Sequence, residues 1–268
     1  MSVSMDAQMA KIQKKIAAKT VNKNKEEERI RKVTDNTVTK SNALSRAYYR
    51  FSISEKRIME ALISRLHPMR SDNNLQKITL TAVDYSKAYS VALNHSYGEL
   101  ASAASGLMRK IITTHENNDP VENNLMLEAK YQKNEGQVVC TLSPLIVPHL
   151  IGLREKFSSY PLVKAVNFKS SYTWRLYEIL VSWAQPKADT DGVFCGWFEI
   201  ETIELRKMLG VPESYNYGTF RRSVLEHATN ELFQKANITL KLEPRKTSRR
   251  ITSYKVTFME NDQQQLPL

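Results

Sequence analysis

Only two cysteines occur in 268 residues, Cys140 and Cys195. That count excludes a disulfide framework and leaves too few thiolates for a four-ligand zinc site. Each cysteine sits in a strand-like run and reads as a small buried hydrophobe in a reducing cytosol. No apolar run approaches the roughly 18 residues of a membrane span, and the N-terminus is polar rather than a signal peptide, so a cytoplasmic protein with no membrane partner is expected. The five histidines, His67, His95, His115, His149 and His227, are scattered. They lack the paired spacing with which a rolling-circle nickase holds a metal beside its tyrosine. None of the eight glycines is followed by lysine, which removes the phosphate-cradling P-loop. No serine or thiol nucleophile has partners at motif spacing, and no acidic cluster suggests a two-metal nuclease. The expectation is a protein that is not an enzyme, with no cofactor, no metal and no catalytic residue.

What the chain does have is positive charge, +11 overall, and it is unevenly placed. Residues 1–40 carry ten Lys/Arg against five Asp/Glu, and residues 221–255 carry nine against three, while the long middle is nearly neutral. A basic excess confined to the ends favours a polyanionic partner, nucleic acid before anionic membrane.

Residues 1–40 contain no aromatic residue and read as a flexible basic tail. A short amphipathic helix through Met5, Met9, Ile12 and Ile16 is the alternative. Order is expected from Ser41. Ser54 reads as an N-cap before a helix with Ile58, Leu62 and Leu66 inward and Pro68 after its end. KITLT reads as a strand, and Thr81 with Asp84 opens a short helix. Ser96 with Glu99 reads as a capping box for the helix YGELASAASGLMRKII, with Leu100, Leu107, Met108 and Ile111 inward. NLMLEAKY and QVVCTL flank NEG as a hairpin. LSPLIVPHLIGLREKF reads as a connector helix interrupted near Pro148.

The same order then returns. Residues 170–183 have the apolar face of a helix, and VFCGWFEI reads as a strand. Thr202 caps a short helix that Gly210 ends. A longer helix runs from about Gly218 to Ala236, and NITLKLEP and ITSYKVTF close a hairpin around RKTSRR. Helix, strand, short helix, longer helix and two-stranded wing make the winged form of the helix-turn-helix. The expected fold is therefore α+β with two tandem winged-helix domains, at 41–143 and 170–260. Residues 144–169 join them, and 261–268 form a short tail.

On a wheel of about 100° per residue, Phe220, Val224, Leu225, Ala228 and Leu232 form the inner face of the last long helix. Arg222, Ser223, Glu226 and Asn230 fall opposite, and Arg221 falls toward the core side but within reach of a phosphate. Recognition helices present their N-terminal residues to base edges, and arginine pairs bidentately with guanine. Arg222 with Glu226 also suits an ordinary i, i+4 surface pair. Arg245, Lys246, Arg249 and Arg250 crowd one hairpin tip, a pattern suited to phosphates. The first unit offers a weaker set, Tyr97, Glu99 and Ser102 near its long helix's start and Arg109 and Lys110 near its end. Cations at a helix C-terminus are also ordinary.

The stretches SNALSRAYYRFSISEKRIMEAL, LSPLIVPHLIGLREKFSSY, SYTWRLYEIL and VPESYNYGTFRRSVLEHATNEL resemble the initiator proteins of iteron-containing plasmids, across about residues 41–258. The resemblance implies a bacterial, plasmid-associated protein that binds directly repeated duplex DNA at a replication origin and helps melt an adjacent AT-rich region. It implies the host initiator ATPase and the replicative helicase as partners, and a monomer–dimer equilibrium in which the dimer represses the initiator's own promoter. It places base reading on Thr219, Phe220, Arg221, Arg222, Ser223 and Glu226. Ser223 departs from the family pattern, which continues the arginine run, so a different repeat is expected. A dedicated transcriptional repressor, or a protein-binding scaffold on the same fold, remains the competing reading.

Overall fold

The computed structural model describes residues 33–66, 76–117, 119–185, 194–248 and 250–261. The spacing of Met5, Met9, Ile12 and Ile16, Pro68, Arg249 and residues 262–268 lie outside these ranges. Order begins before Ser41. Val33–Asp35 forms a 3-10 turn and strand β1 (Thr37–Ser41) pairs antiparallel with β7 (Phe157–Pro161), Val38 opposite Tyr160. The expected tail boundary at residue 40 is thus corrected, because Val33, Val38 and Lys40 are buried. Burial of those side chains outweighs the polar look of the segment.

After the single turn α1 (Asn42–Ser45), the first unit comprises α2 (Ile53–Ser64), β2 (Lys77–Thr81), α3 (Ala82–Tyr89) and α4 (Leu93–Leu107). Hairpin β3 (Ile111–Glu116) and β4 (Asp119–Asn124) precede β5 (Met126–Gln132) and β6 (Gln137–Leu142). Its sheet runs β2-β6-β5. Ser52, rather than Ser54, caps α2 in a reciprocal box with Glu55, the arrangement that satisfies two orphan amides at once. Ser54 instead donates to Glu99 Oε1 at 2.6 Å. Helix α4 starts three residues ahead of Ser96, whose buried hydroxyl bonds back to the Ala92 carbonyl at 2.9 Å, so the Ser96–Glu99 box does not form. It also stops at Leu107. Ile111 turns outward in β3 because the following backbone is taken up by β4 and by Thr113, which exchanges two amide bonds with Tyr48. The connector is not a helix. Val147–His149 makes a 3-10 turn, with Ile146 and Leu150 in the core, before the chain extends into β7, and a second such turn follows at Leu162–Lys164.

The second unit repeats the order with α5 (Ser171–Trp183), β8 (Cys195–Glu201), α6 (Thr202–Met208), a long helix α7 (residues 217–236), β9 (Ile238–Thr247) and β10 (Arg250–Glu260). Its sheet runs β8-β10-β9. Pro244, opposite Tyr254, falls on the edge strand β9, the kind of strand to which proline is confined. Thr202 is the first helical residue of α6 and not its cap; its hydroxyl bonds the Ile251 carbonyl at 3.3 Å. Cys140 is buried in β6, its thiol pushed up to about 12 by desolvation, and Cys195 is half-buried. This is the tandem winged-helix α+β architecture.

A buried charge cluster joins the two units. Lys56 of α2 lies 2.6 Å from both Glu60 Oε1 and Glu178 Oε2, and Lys40 of β1 bonds the same two carboxylates. Arg175 of α5 lies 2.7 Å from Glu178 and donates to Tyr49 OH at 2.6 Å and to the Ala47 and Met208 carbonyls. Tyr160 of β7 donates to Glu60 at 2.9 Å and accepts from Trp174. All of these charges are buried. Burial pushes the Glu178 carboxyl up, but Lys40, Lys56 and Arg175 outweigh it and hold the group well below the usual carboxylate range. Close packing continues the junction. Gly210, at φ +64°, has its Cβ position 2.4 Å from the Tyr49 carbonyl, so only glycine fits where the second unit meets the segment after α1.

Glu178→Ala leaves three buried cations short of a carboxylate and is expected to destabilise by about 3–5 kcal/mol in chemical denaturation. A depressed folded pKa contributes stability above the unfolded value of about 4.3 and loses it as pH falls through the folded value. Glu178→Gln should therefore flatten the stability–pH curve below about pH 4.

Candidate nucleic-acid interface

Asn216 starts α7 by accepting from the Thr219 amide at 2.9 Å. The helix then runs through Tyr217–Phe220, a π-helical segment Arg221–Glu226, and His227–Ala236, which Asn237 closes in a left-handed conformation. Phe220, Val224, Leu225, Ala228 and Leu232 are buried on the inner face. Arg222, Ser223 and Glu226 are exposed, and Thr219 is half-buried. Arg221 differs from the wheel. The i→i+5 pattern of a π segment turns it outward, 62% exposed, and brings its Nε to 2.8 Å from Glu226 Oε1. The surface pair is thus Arg221–Glu226, and Arg222 has no carboxylate partner among the described residues. π segments concentrate at functional sites, and this one occupies the turn that carries the candidate base-reading side chains.

Two contacts fix where that turn points. Arg206 of α6 donates to the Pro212 and Tyr215 carbonyls at 3.1 and 2.7 Å, and its guanidinium lies 5.0 Å from the Phe220 ring. The α6–α7 turn is pinned by one side chain. Tyr217 and Tyr254 share a hydroxyl–hydroxyl bond of 2.9 Å, which ties the start of α7 to wing strand β10. Burial, then that bond, pushes the Tyr254 phenol well above its ordinary value. Sequence reading missed Arg206, Tyr217 and Tyr254, because nothing in their local spacing marks a contact that forms only across elements.

In the wing, β9 and β10 pair from Ile238–Glu260 out to Thr247–Arg250, with an irregularity between Ile251 and Ser253. Arg245, Lys246 and Arg250 are exposed. Glu243 is taken by Lys241 at 2.9 Å, and Arg245 has only a distant acid, Glu199 at 3.9 Å. Lys246 and Arg250 have no acid partner among the described residues. Arg249 lies outside them.

The first-unit set does not come together. Ser102 is exposed, and Tyr97 is half-buried against the core. Glu99, expected to be exposed, is held by Ser54, by Tyr85 at 2.6 Å and by Arg57. Burial raises its pKa, and these three partners outweigh burial and lower it. Arg109 and Lys110 lie past the end of α4, roughly 18 Å along its axis from Tyr97. Arg109 donates to Ser105, and Lys110 lies 3.4 Å from Glu55. They face the junction with the second unit together with Arg50. Among the described residues no cluster of three or more His, Cys, Asp or Glu could hold a metal, and no helix is long and apolar enough to cross a membrane.

Residues 37–181 match the family profile described as "Initiator Replication protein, WH1", and residues 201–258 match "Initiator Rep protein, WH2". Among solved structures the chain is similar to the Pi initiator protein in complex with iteron DNA. That match has 18% identity and a TM-score of 0.69, covering 85% of this chain and 99% of that one. A second match, to the WH1 domain of MSBI1.176, a replication protein isolated from a multiple sclerosis patient, has 16% identity and a TM-score of 0.31, covering 37% of this chain and 77% of that one.

Glu226→Gln removes the charged partner of Arg221 at an exposed site. The thermal midpoint should stay unchanged, while selection on randomised duplexes should return an altered consensus; an unaltered consensus would remove Arg221 and Glu226 from base reading.

Proposed function

The chain belongs to the initiator replication protein family, and on that premise we propose that it binds directly repeated duplex sites at a plasmid origin through α7 and the β9–β10 wing. The observation that carries this reading is Arg222, exposed and without a carboxylate partner among the described residues, on the first turns of a helix whose opposite face is the domain core. Arg222, Ser223 and Thr219 face the base edges, with Arg221 and Glu226 beside them. A bidentate arginine–guanine contact discriminates by about 1–3 kcal/mol. Arg245, Lys246, Arg249 and Arg250 hold phosphates and set register without reading sequence. In the first unit, Tyr97 in the second turn of α4, the corresponding helix, and Ser102 farther along it add a second and weaker set of contacts.

The protein acts by binding and not by catalysis. Several copies on adjacent repeats strain the neighbouring AT-rich duplex and present a surface to the host initiator ATPase and the replicative helicase. A dimer of the same chain represses its own promoter. Such work belongs in the cytoplasm, where the origin is.

Footprinting on the DNA that flanks the coding region tests site, spacing and symmetry together. Direct repeats beside an AT-rich stretch are expected; a lone inverted repeat would make the protein a dedicated repressor. Arg222→Ala should weaken the cognate repeat by about 1–3 kcal/mol and relax discrimination. Equal losses on cognate and random DNA would reject base reading. Lys246→Ala with Arg250→Ala should weaken all duplexes alike and lower the salt slope by about 2.

A further inference from the structure

The two units meet along a cleft of about 740 Å³, bordered by Arg50, Ser52, Glu55, Arg109, Lys110 and Tyr172. At Ser171 and Tyr172 it runs into a shallower groove of about 530 Å³, lined by Lys169, Arg222, Ser223 and His227. The two depressions share Ser171 and Tyr172 and together reach, as a trough, from the end of α4 to the outward face of α7. Its charge is positive. Arg50 and Lys169 are exposed and, like Arg222, have no carboxylate partner among the described residues. The acids nearby are engaged. Glu55 accepts from the Ser52 amide at 2.7 Å and faces Lys110, and Glu231 accepts from the Lys169 and Ser170 amides at 2.6 and 3.3 Å with His227 3.8 Å away.

We propose that this trough is a phosphate track that carries one strand of the duplex from the second unit to the first. The proposal rests on the DNA-binding reading above and extends it to residues between the two helix-turn-helix elements. Unpaired cations spaced along a groove repel one another and gain when a row of phosphates lies between them, as condensed counterions are released. Tyr172 and Ser171 add neutral hydrogen-bonding groups to the same wall, and α2 and α5 both begin there, with their positive ends toward the groove. The junction behind the trough is fixed by Arg175 and Gly210, so the track has a set length. The two units then read segments at a fixed separation on one face of the duplex, and tolerance for inserted base pairs between those segments is lost.

The test uses the full chain and a duplex recovered by selection from a randomised library. Arg50→Ala with Lys169→Ala removes two exposed side chains that make no hydrogen bond or ion pair among the described residues, and the thermal midpoint should not move. The slope of log K against log salt should fall by about 2, with base preference retained. Phosphates whose ethylation blocks the wild type, between its two protected segments, should no longer interfere in the variant. Arg154→Ala with Lys156→Ala, exposed cations that do not line the trough, should leave the slope unchanged. A wild-type slope and interference pattern in the Arg50, Lys169 variant would overturn the track while leaving base reading by α7 intact. Absence of salt-sensitive duplex binding by the wild type would instead overturn the DNA-binding reading itself.

Discussion

Three cations and two carboxylates, all buried, sit where β1, α2, α5 and β7 converge. Lys40, Lys56 and Arg175 share Glu60 and Glu178, and Tyr49, Tyr160 and Trp174 complete the hydrogen bonding. Taking such charges from water is expensive, and their mutual attraction offsets that expense only in good geometry. Apolar packing alone tolerates sliding and repacking; a satisfied ionic network does not. The cluster therefore gives the two winged units one relative placement. Whatever each unit does to DNA, it does at a distance and angle set by this junction.

The DNA-facing side is organised by the opposite rule, since its charges are left without partners. Inside the fold Glu60 serves three donors and Glu178 five, whereas at the surface Arg222, Lys246, Arg250, Arg50 and Lys169 have no carboxylate partner among the described residues. Between these extremes lies Arg221, held by Glu226 across a π turn. Its guanidinium is pre-oriented and already compensated, so a base must outcompete a carboxylate to recruit it. The adjacent Arg222 meets no such competitor among the described residues. Two neighbouring arginines of one helix thus differ in availability because of a local widening of the backbone.

Much of the architecture was legible in the sequence because it is written in local periodicity. The apolar faces of α5 and α7, the turn at Gly136, and the β9–β10 pair with cations at its tip are all short-range patterns. What escaped notice depends on partners far along the chain. The largely polar stretch Thr37–Ser41 becomes a strand because β7 pairs with it, and Ser54 loses its expected capping role because Ser52 completes a box with Glu55. Ile111 leaves the helical register because Tyr48 and β4 claim the backbone after it. At the interface, the wheel placed Arg222, Ser223 and Glu226 outward and misplaced Arg221, since a wheel assumes α spacing throughout. Arg50 and Lys169 carried no signal at all, as each is a lone cation in its own segment.

The pairing of β1 with β7 also bears on how the chain is made. Thr39 and Ser159 bond across a sequence separation of 120, and Lys40 reaches Glu178 across one of 138. A ribosome releases the amino-terminal strand long before its companion exists. Until α5 emerges, Lys40 and Lys56 have one carboxylate between them, and the opening winged unit has an unfilled seam. The boundary between two repeats in sequence is therefore no boundary for synthesis, and the nascent half must wait for the beginning of the other before it can close.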